Sequence, residues 1–450
     1  MNKKSIIPGI RRSLSALFLC GAFTLSGGYA AAQANITTSL KDVKLVPVAR
    51  AWSQNSVNTT VFRRDPITTF QSIQYIAFYD TLANVVIGKR TLGSTVWELR
   101  VTPFKGKAKD AHNGICIMTD GEGFLHISWD HHGTPLRYAR SKAPGSLDFE
   151  KAMPMTGLSE AKVTYPQFFK LPDGNLIFLY RDGSSGNGNL VVNHYDVSQK
   201  KWTQRQSNLI DGQGKRNAYW QMNLDKKGTI HLSWVWREGP DVATNHDLCY
   251  ARSKDGGLTW EKSNGEKYQL PINASSAEYA FRVPENSELI NQTSITADKK
   301  GNPFIATYWR SGDSRVPQYR LVFHQKGSWH MQEIGKRSAP FSLSGKGTKK
   351  IPIARPQVIV DKKGKPVVFF RDEERGSRVS VAMSTKLSKA KWKMKDLTSA
   401  SVGDWEPAFD TELWKKQEKL HLYVQNVVQA DGEGIAKVQQ QTVYILEWKP

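Results

Sequence analysis

Between Asp110 and Arg140 the chain alternates short apolar runs with turn residues. HNGICIM leads into Asp120-Gly-Glu-Gly123, FLHISW follows, and a Gly-Thr-Pro turn precedes a third run from Leu136. Strands this short, punctuated by Gly, Pro and Asp, predict an antiparallel meander. The unit recurs: Asp173-Gly174, Asp225-Lys-Lys-Gly, Asp298-Lys-Lys-Gly and Asp361-Lys-Lys-Gly lead into LIFLY, TIHLSW, NPFIATYW and KPVVFF. Third strands repeat as RYARSK at 137–142 and CYARSK at 249–254, and Trp202, Trp260, Trp329 and Trp392 fall near a fourth strand or the turn before it. Residues Ser253 to Trp260 form an Asp-box, a hairpin-turn motif of propeller blades.

Five clear repeats, with weaker ones at 72–100 and 412–449, predict an all-β chain. The expected fold is a seven-bladed β-propeller of four-stranded antiparallel blades, with six or eight blades as alternatives. A strand at 44–52 would close the ring. Two longer segments, 262–289 and 335–350, interrupt the pattern; loops of that length often wall or cover a site.

The N-terminus changes the picture of where the protein works. Lys3, Lys4, Arg11 and Arg12 precede an apolar stretch at 14–26 and the small residues Ala30, Ala31 and Ala32. This reads as an export signal over 1–34, followed by a single catalytic propeller domain at 35–450 that is secreted or periplasmic. The apolar stretch is shorter than the roughly 20 residues a membrane span needs, so no membrane insertion is expected. The formal net charge is +22, or +18 without the four basic groups of the leader. Such an excess predicts an acidic partner; nucleic acid, an anionic surface and an acidic polysaccharide all fit, and export argues against nucleic acid. Cys116 and Cys249 are too few for a disulfide framework.

Equivalent positions of successive blades surround one axis, so a residue type repeated at one position becomes a ring. Second strands end at His132, Arg181, Arg237, Arg310 and Arg371, and first strands begin near His112, Tyr165, Tyr219, Asn291 and Arg355. The two series should meet in a basic pocket containing His and Tyr. The competing reading pairs the arginines with the acids that follow them, Asp182, Glu238 and Asp372. His126 and His231 occupy matching places inside second strands and read as structural. His246 and Cys249 could offer two zinc ligands where a full site needs about four. No metal is assigned to the site and no cofactor is required for catalysis, which leaves a structural ion as an option. Phe281-Arg282-Val-Pro284 resembles a sialidase arginine motif but lies too late in the chain, within an interruption.

Arg, His and Tyr around an anionic sugar suit β-elimination on a uronate. An arginine neutralises the carboxylate beside the weakly acidic C5 proton. A base then removes that proton while an acid protonates the departing O4. Ring positions without Asp or Glu argue against a paired-carboxylate glycosidase.

AHN at 111–113, TYPQF at 164–168, LYRDG at 179–183, NAYWQ at 217–221 and HDLCYARSKDGG at 246–257 resemble the propeller family with BNR-type repeats. That family includes polysaccharide lyases acting on ulvan, a sulfated rhamnose–uronate polymer of green algae. The resemblance implies His112 and Tyr165 as the proton-transfer pair, without fixing which is base and which acid. Arg181 becomes the carboxylate neutraliser and His132 an assistant, with Tyr219, Arg237, Arg310 and Asn113 as substrate-binding residues. The implied spacings are present: His112 and His132 are twenty residues apart, Tyr165 and Arg181 sixteen. The expected partner is an anionic sulfated polysaccharide, and the expected state a monomer. The alternatives are an α-L-rhamnosidase-type hydrolase and a non-catalytic carbohydrate-binding propeller.

Overall fold

The computed structural model describes residues 35–60 and 65–450, so the expected export signal lies outside the described residues. Seven antiparallel sheets follow one another along the chain and close into a propeller. Blade 1 spans 67–105, blade 2 115–149, blade 3 163–206, blade 4 217–281, blade 5 294–333 and blade 6 357–396. Blade 7 combines three strands from 408–448 with Val43–Ala51. That strand pairs with Gln441–Trp448, from Val43 opposite Trp448 to Ala51 opposite Gln441.

The second strands are nearly continuous apolar runs because each is covered on both faces by neighbouring blades. Leu125–Trp129, Ile230–Arg237 and Pro366–Phe370 are buried throughout. The Asp-Lys-Lys-Gly signal works through its first and last residues. Asp225 Oδ1 accepts the backbone N–H of Lys227 at 2.8 Å and of Thr229 at 2.9 Å. Gly228 closes the turn at φ 85°, in the left-handed region that glycine enters without steric cost. Asp298 and Asp361 repeat this capping.

His126 and His231 are structural, as expected. Each is fully buried between its blade's turn aspartate and a third-strand tyrosine. His126 contacts Asp120 at 3.2 Å and Tyr138 Oη at 2.8 Å; His231 contacts Asp225 at 3.4 Å and Tyr250 Oη at 2.8 Å.

Two departures from the repeat matter. The 262–289 interruption holds the outer strand of blade 4, Glu278–Phe281, which the Asp-box displaces along the chain. Blade 2 has three paired strands, and its segment His132–Thr134 pairs instead with the start of blade 3, placing His132 opposite Thr164. A short helix unforeseen in the sequence, α1 (Thr411–Gln417), sits in blade 7 and is capped by Asp410, which accepts Leu413 N–H at 2.9 Å. Among the described residues, no helix is long and apolar enough to cross a membrane.

The closing strand pair sets the first prediction. Leu446 is fully buried in the core that blades 6 and 7 share. Leu446→Ala should cost about 2–5 kcal/mol of stability, read as a lowered Tm and denaturant midpoint.

Candidate functional site

The titratable series sits at one end of the blades, where first strands start and second strands finish. His112, Tyr165, Arg237, Asn291 and Arg355 line one narrow cleft of about 40 Å³, with Thr348 and Lys349 on its wall. Four of these five come from the series at the start of the first strands.

Tyr165 reaches the cleft through a β-bulge. Thr164 pairs with Arg181 and Gln167 with Leu179, so two residues of blade 3 oppose one of its partner strand. Tyr165 itself has φ 59°, a strained conformation for a bulky side chain and one that clusters at functional sites. Its ring lies 6.0 Å from that of His112 and 6.1 Å from that of Tyr219, centroid to centroid.

Asp110 organises the histidines. Its Oδ1 accepts from His112 Nδ1 at 3.0 Å, and its Oδ2 lies 2.7 Å from His132 Nδ1. The two imidazoles stack with centroids 4.0 Å apart. Glu433 adds a second carboxylate 3.2 Å from His112 Nδ1. Burial opposes a charge on His112, but its hydrogen bonds to the carboxylates of Asp110 and Glu433 override it and raise the imidazole to about 9. Asp110 is correspondingly held well below the usual carboxylate range: burial works against this, and the two histidines outweigh it.

The arginines separate into two groups. Arg181 places its guanidinium carbon 4.9 Å from the Tyr165 ring centroid, and Arg237 places its own 5.3 Å from that of Tyr219. Arg181 is 7 % exposed, its Nε is buried without a hydrogen-bond partner, and no carboxylate pairs with it among the described residues. Arg371 is instead a buried strut donating to Ile351 O at 2.8 Å. Arg310 donates to the Asn286 carbonyl and does not line the cleft. None of the anticipated pairs with the following acid forms. Glu238 pairs with Arg216 at 2.7 Å and Asp372 with Arg337 at 2.8 Å. Adjacent strand residues point to opposite faces, which keeps Arg181 away from Asp182.

The arginine field also acts on the phenols. Burial pushes Tyr165 up to about 12, with the Tyr219 phenol adding to the shift and Arg181 and Arg237 opposing it. At Tyr219 burial again raises the value, but Arg237 and Arg181 prevail and lower it below the ordinary tyrosine range. Asn113 lies beneath the site, donating to Lys107 O at 3.0 Å, while its own carbonyl accepts from Tyr79 Oη at 2.7 Å. Arg355 is gripped by both carboxylate oxygens of Glu406, each at 2.7 Å.

Asp110, Glu433 and Thr348 escaped the sequence reading. Asp110 stood in view two residues before His112, where its role was masked by the turn residues around it. Glu433 and Thr348 come from loops far along the chain. His246 and Cys249 do not form a metal site: His246 contacts Glu238 at 2.7 Å and Asp247 at 3.1 Å, while Cys249 is buried in the blade 3–blade 4 core. Among the described residues, Asp110, His112 and His132 are the one group whose potential ligand atoms converge, all within 4.8 Å of one another. Arg282 pairs with Asp247 at 2.9 Å and packs on Tyr279, outside the cleft.

The sequence pattern described as "BNR repeat-containing family member" matches residues 73–337. An ulvan lyase, long isoform, from Alteromonas sp is 28% identical over 181 residues, covering 36% of this chain and 18% of that protein. Its counterpart from Pseudoalteromonas sp. (strain PLSV) is 29% identical over 202 residues, covering 40% and 20%. The matched stretches thus span about a fifth of the length of these relatives. Among solved structures, the polysaccharide lyase Uly1 superposes with a TM-score of 0.65 at 17% identity, covering 92% of this chain and 100% of that one. A PL25 ulvan lyase gives 0.66 at 14%, covering 90% and 96%. At these identities the superpositions establish the shared fold.

The charged histidine has a measurable signature. His112 is raised from 6.5 to about 9, so its stabilising contribution is complete below pH 6.5 and is lost as pH rises through 9. Asp110 is lowered from 3.8, so its contribution is present above that pH and is lost in acid. The Tm of the wild type should therefore fall between pH 6.5 and 9, and His112→Asn should flatten that fall; an unchanged slope in the variant would contradict the charged imidazole.

Proposed function

Because the chain belongs to the BNR repeat-containing family, we propose that it is a polysaccharide lyase that cleaves ulvan by β-elimination at the uronate. One observation carries the reading: Arg181 is a buried guanidinium without a carboxylate partner among the described residues, set against the ring of Tyr165, whose own ring lies 6.0 Å from that of His112. A buried cation left without an anion is costly, and a uronate carboxylate supplies that anion. Neutralised by Arg181, the carboxylate stabilises the negative charge that develops at C5. The ulvan lyases among the relatives support the substrate class, as does the PL25 ulvan lyase solved with -[GlcA(1-4)Rha3S]- bound.

The proton roles follow from charge. His112, an imidazolium at neutral pH, gives its proton to the departing O4. Tyr165, whose phenolate Arg181 and Arg237 stabilise against burial, takes the C5 proton. The C5–H and C4–O4 bonds break, the C4–C5 double bond forms, and both protons remain accounted for. His132 stacks on His112 and shares Asp110, fixing the imidazole. Tyr219 and Arg237 form the adjoining wall, and no step requires a metal or cofactor. Secretion would place the enzyme where such a polymer occurs.

Mixing the protein with ulvan should raise the ultraviolet absorbance of an unsaturated uronate. Released rhamnose without that absorbance would make it a hydrolase. Tyr165→Phe should lower turnover at least ~10²-fold with the fold intact. Arg181→Ala should lower uronate turnover by a similar or larger factor while keeping its Tm near that of the wild type.

The pH profile tests the proton assignment. The competent form needs Tyr165 ionised and His112 protonated. With these groups at about 12 and about 9, that form increases with pH and levels off near 9. Glu433→Gln should move the level-off to lower pH; a maximum on the acid side of neutrality would contradict these roles.

A further inference from the structure

Antiparallel alternation puts the turns between first and second strands on the face opposite the cleft. There a second cavity of about 230 Å³ opens between the turns of blades 4, 5 and 6 and helix α1. Its floor includes Phe169, Phe409 and Trp414, and its rim carries Lys226, Lys227, Lys299 and Lys415. An adjoining hollow continues past Glu412 to Lys170 and Lys416.

These lysines are not demanded by the fold. The turn requires aspartate at its start and glycine at its end, and the two positions between are exposed and unconstrained. Blades 2 and 3 build the corresponding turns from Asp120-Gly-Glu-Gly and Asp173-Gly174 without any lysine. Blades 4, 5 and 6 carry a lysine pair at every one.

Asp225, Asp298, Asp361, Glu412 and Glu418 line the same cavity, so only part of the lysine charge is free of an acidic partner. The carboxylates of Asp225, Asp298 and Asp361 are engaged by backbone N–H groups of their own turns. Glu418 pairs with Lys226 at 3.0 Å, while Glu412 pairs with Lys415 and, at 3.5 Å, with Lys170. Lys227, Lys299, Lys300, Lys362, Lys363 and Lys416 have no acidic partner among the described residues.

We propose that this mouth is a second, non-catalytic binding site for an extended anionic polysaccharide, whose sulfate or carboxylate groups pair with the lysines of blades 4 to 6 and α1. Lysines of blades 4 and 5 and of α1 line the cavity, and the lysine pair of blade 6 follows Asp361 on the adjoining turn, so the ligand must be long enough to cross several turns. A lipid surface fits less well, because none of the large apolar side chains exposed among the described residues lines the cavity. Nucleic acid would want exposed rings for stacking, and no aromatic residue stands among those exposed large apolar groups. The site does not depend on the lyase reading, since its chemistry is charge pairing alone. Where both hold, it would keep polymer attached while the cleft acts.

The test uses the full chain carrying Arg181→Ala, which removes the cleft's grip on the carboxylate. Its retardation is measured in gels containing ulvan, dextran sulfate or neutral dextran. Retention by both anionic polymers and not by neutral dextran is expected. Adding Lys227→Ser, Lys299→Ser, Lys300→Ser and Lys363→Ser should weaken retention about tenfold, the scale of four exposed ion pairs lost together. Added salt should erase the difference. If the fourfold variant has a lowered Tm, Lys299→Ser with Lys300→Ser alone should still weaken retention. Unchanged retention in folded lysine variants overturns the site, as does lysine-dependent binding seen only with anionic vesicles or only with DNA. Lysine-dependent retention together with no unsaturated product from the wild type would retire the lyase reading and leave this site standing.

Discussion

Ring closure is the constraint on which the rest depends. Seven sheets can direct the starts of their first strands to one axis only if the ring is shut, and the pairing of Val43–Ala51 with Gln441–Trp448 shuts it. An open ring would leave a long unpaired strand edge, which sheets cover or close. Once it is shut, the period-2 alternation of strands sorts side chains without further instruction. Tyr165 reaches the cleft with Tyr219 packed behind it, and Arg181 is separated from the acid that follows it.

The fold then sustains an electrostatic arrangement that would be unfavourable elsewhere. Arg181 and His112 lie on either side of Tyr165, both largely buried, where charges are weakly screened. Asp110 and Glu433 make the histidine's charge tolerable, because two carboxylates converge on a single Nδ1. Arg181 receives no such compensation from a carboxylate. Its partial relief comes from the face of Tyr165, a contact worth about 0.5–1 kcal/mol at exposed sites and more when desolvated. The asymmetry suits the proposed elimination: the group assigned the proton is paired with carboxylates, and the group assigned to the uronate has none among the described residues.

Much of this was legible in the sequence, for reasons that also explain the failures. The turn aspartates and glycines repeat because each blade meets the same backbone requirement, so blade number, order and closing strand could be read. His112, Tyr165, Arg237, Asn291 and Arg355, which line the candidate cleft, could be read because they occupy equivalent places in that repeat. Arg310 matched the spacing of its counterparts, yet the Asn286 carbonyl captures its guanidinium. Spacing fixes where a side chain begins, and local partners decide where it ends. The outer strand of blade 4 was hidden for the opposite reason, since the Asp-box inserts a variable length before Glu278. Glu433 lies on no repeat and bears no mark in sequence that ties it to His112.

Glu433 nevertheless joins the two halves of the design. Its loop connects the strand Leu420–Gln425 to the strand that closes the ring. The same loop is stapled to the first described segment: Ala436 N–H donates to Gln54 O at 2.7 Å, and Ser56 N–H donates to Gln429 Oε1 at 3.0 Å. On its other side Gly432 N–H donates to Thr348 O at 2.9 Å, and Lys349 pairs with Asp431 at 2.8 Å. A carboxylate on a free loop would lose much of its effect on His112 to solvent and motion. Held between the closing strand and the 347–349 wall, Glu433 stays at hydrogen-bond distance, so the contacts that shut the ring also set the charge of the histidine. Stability of the closure and protonation of the site are therefore one coupled property of this fold.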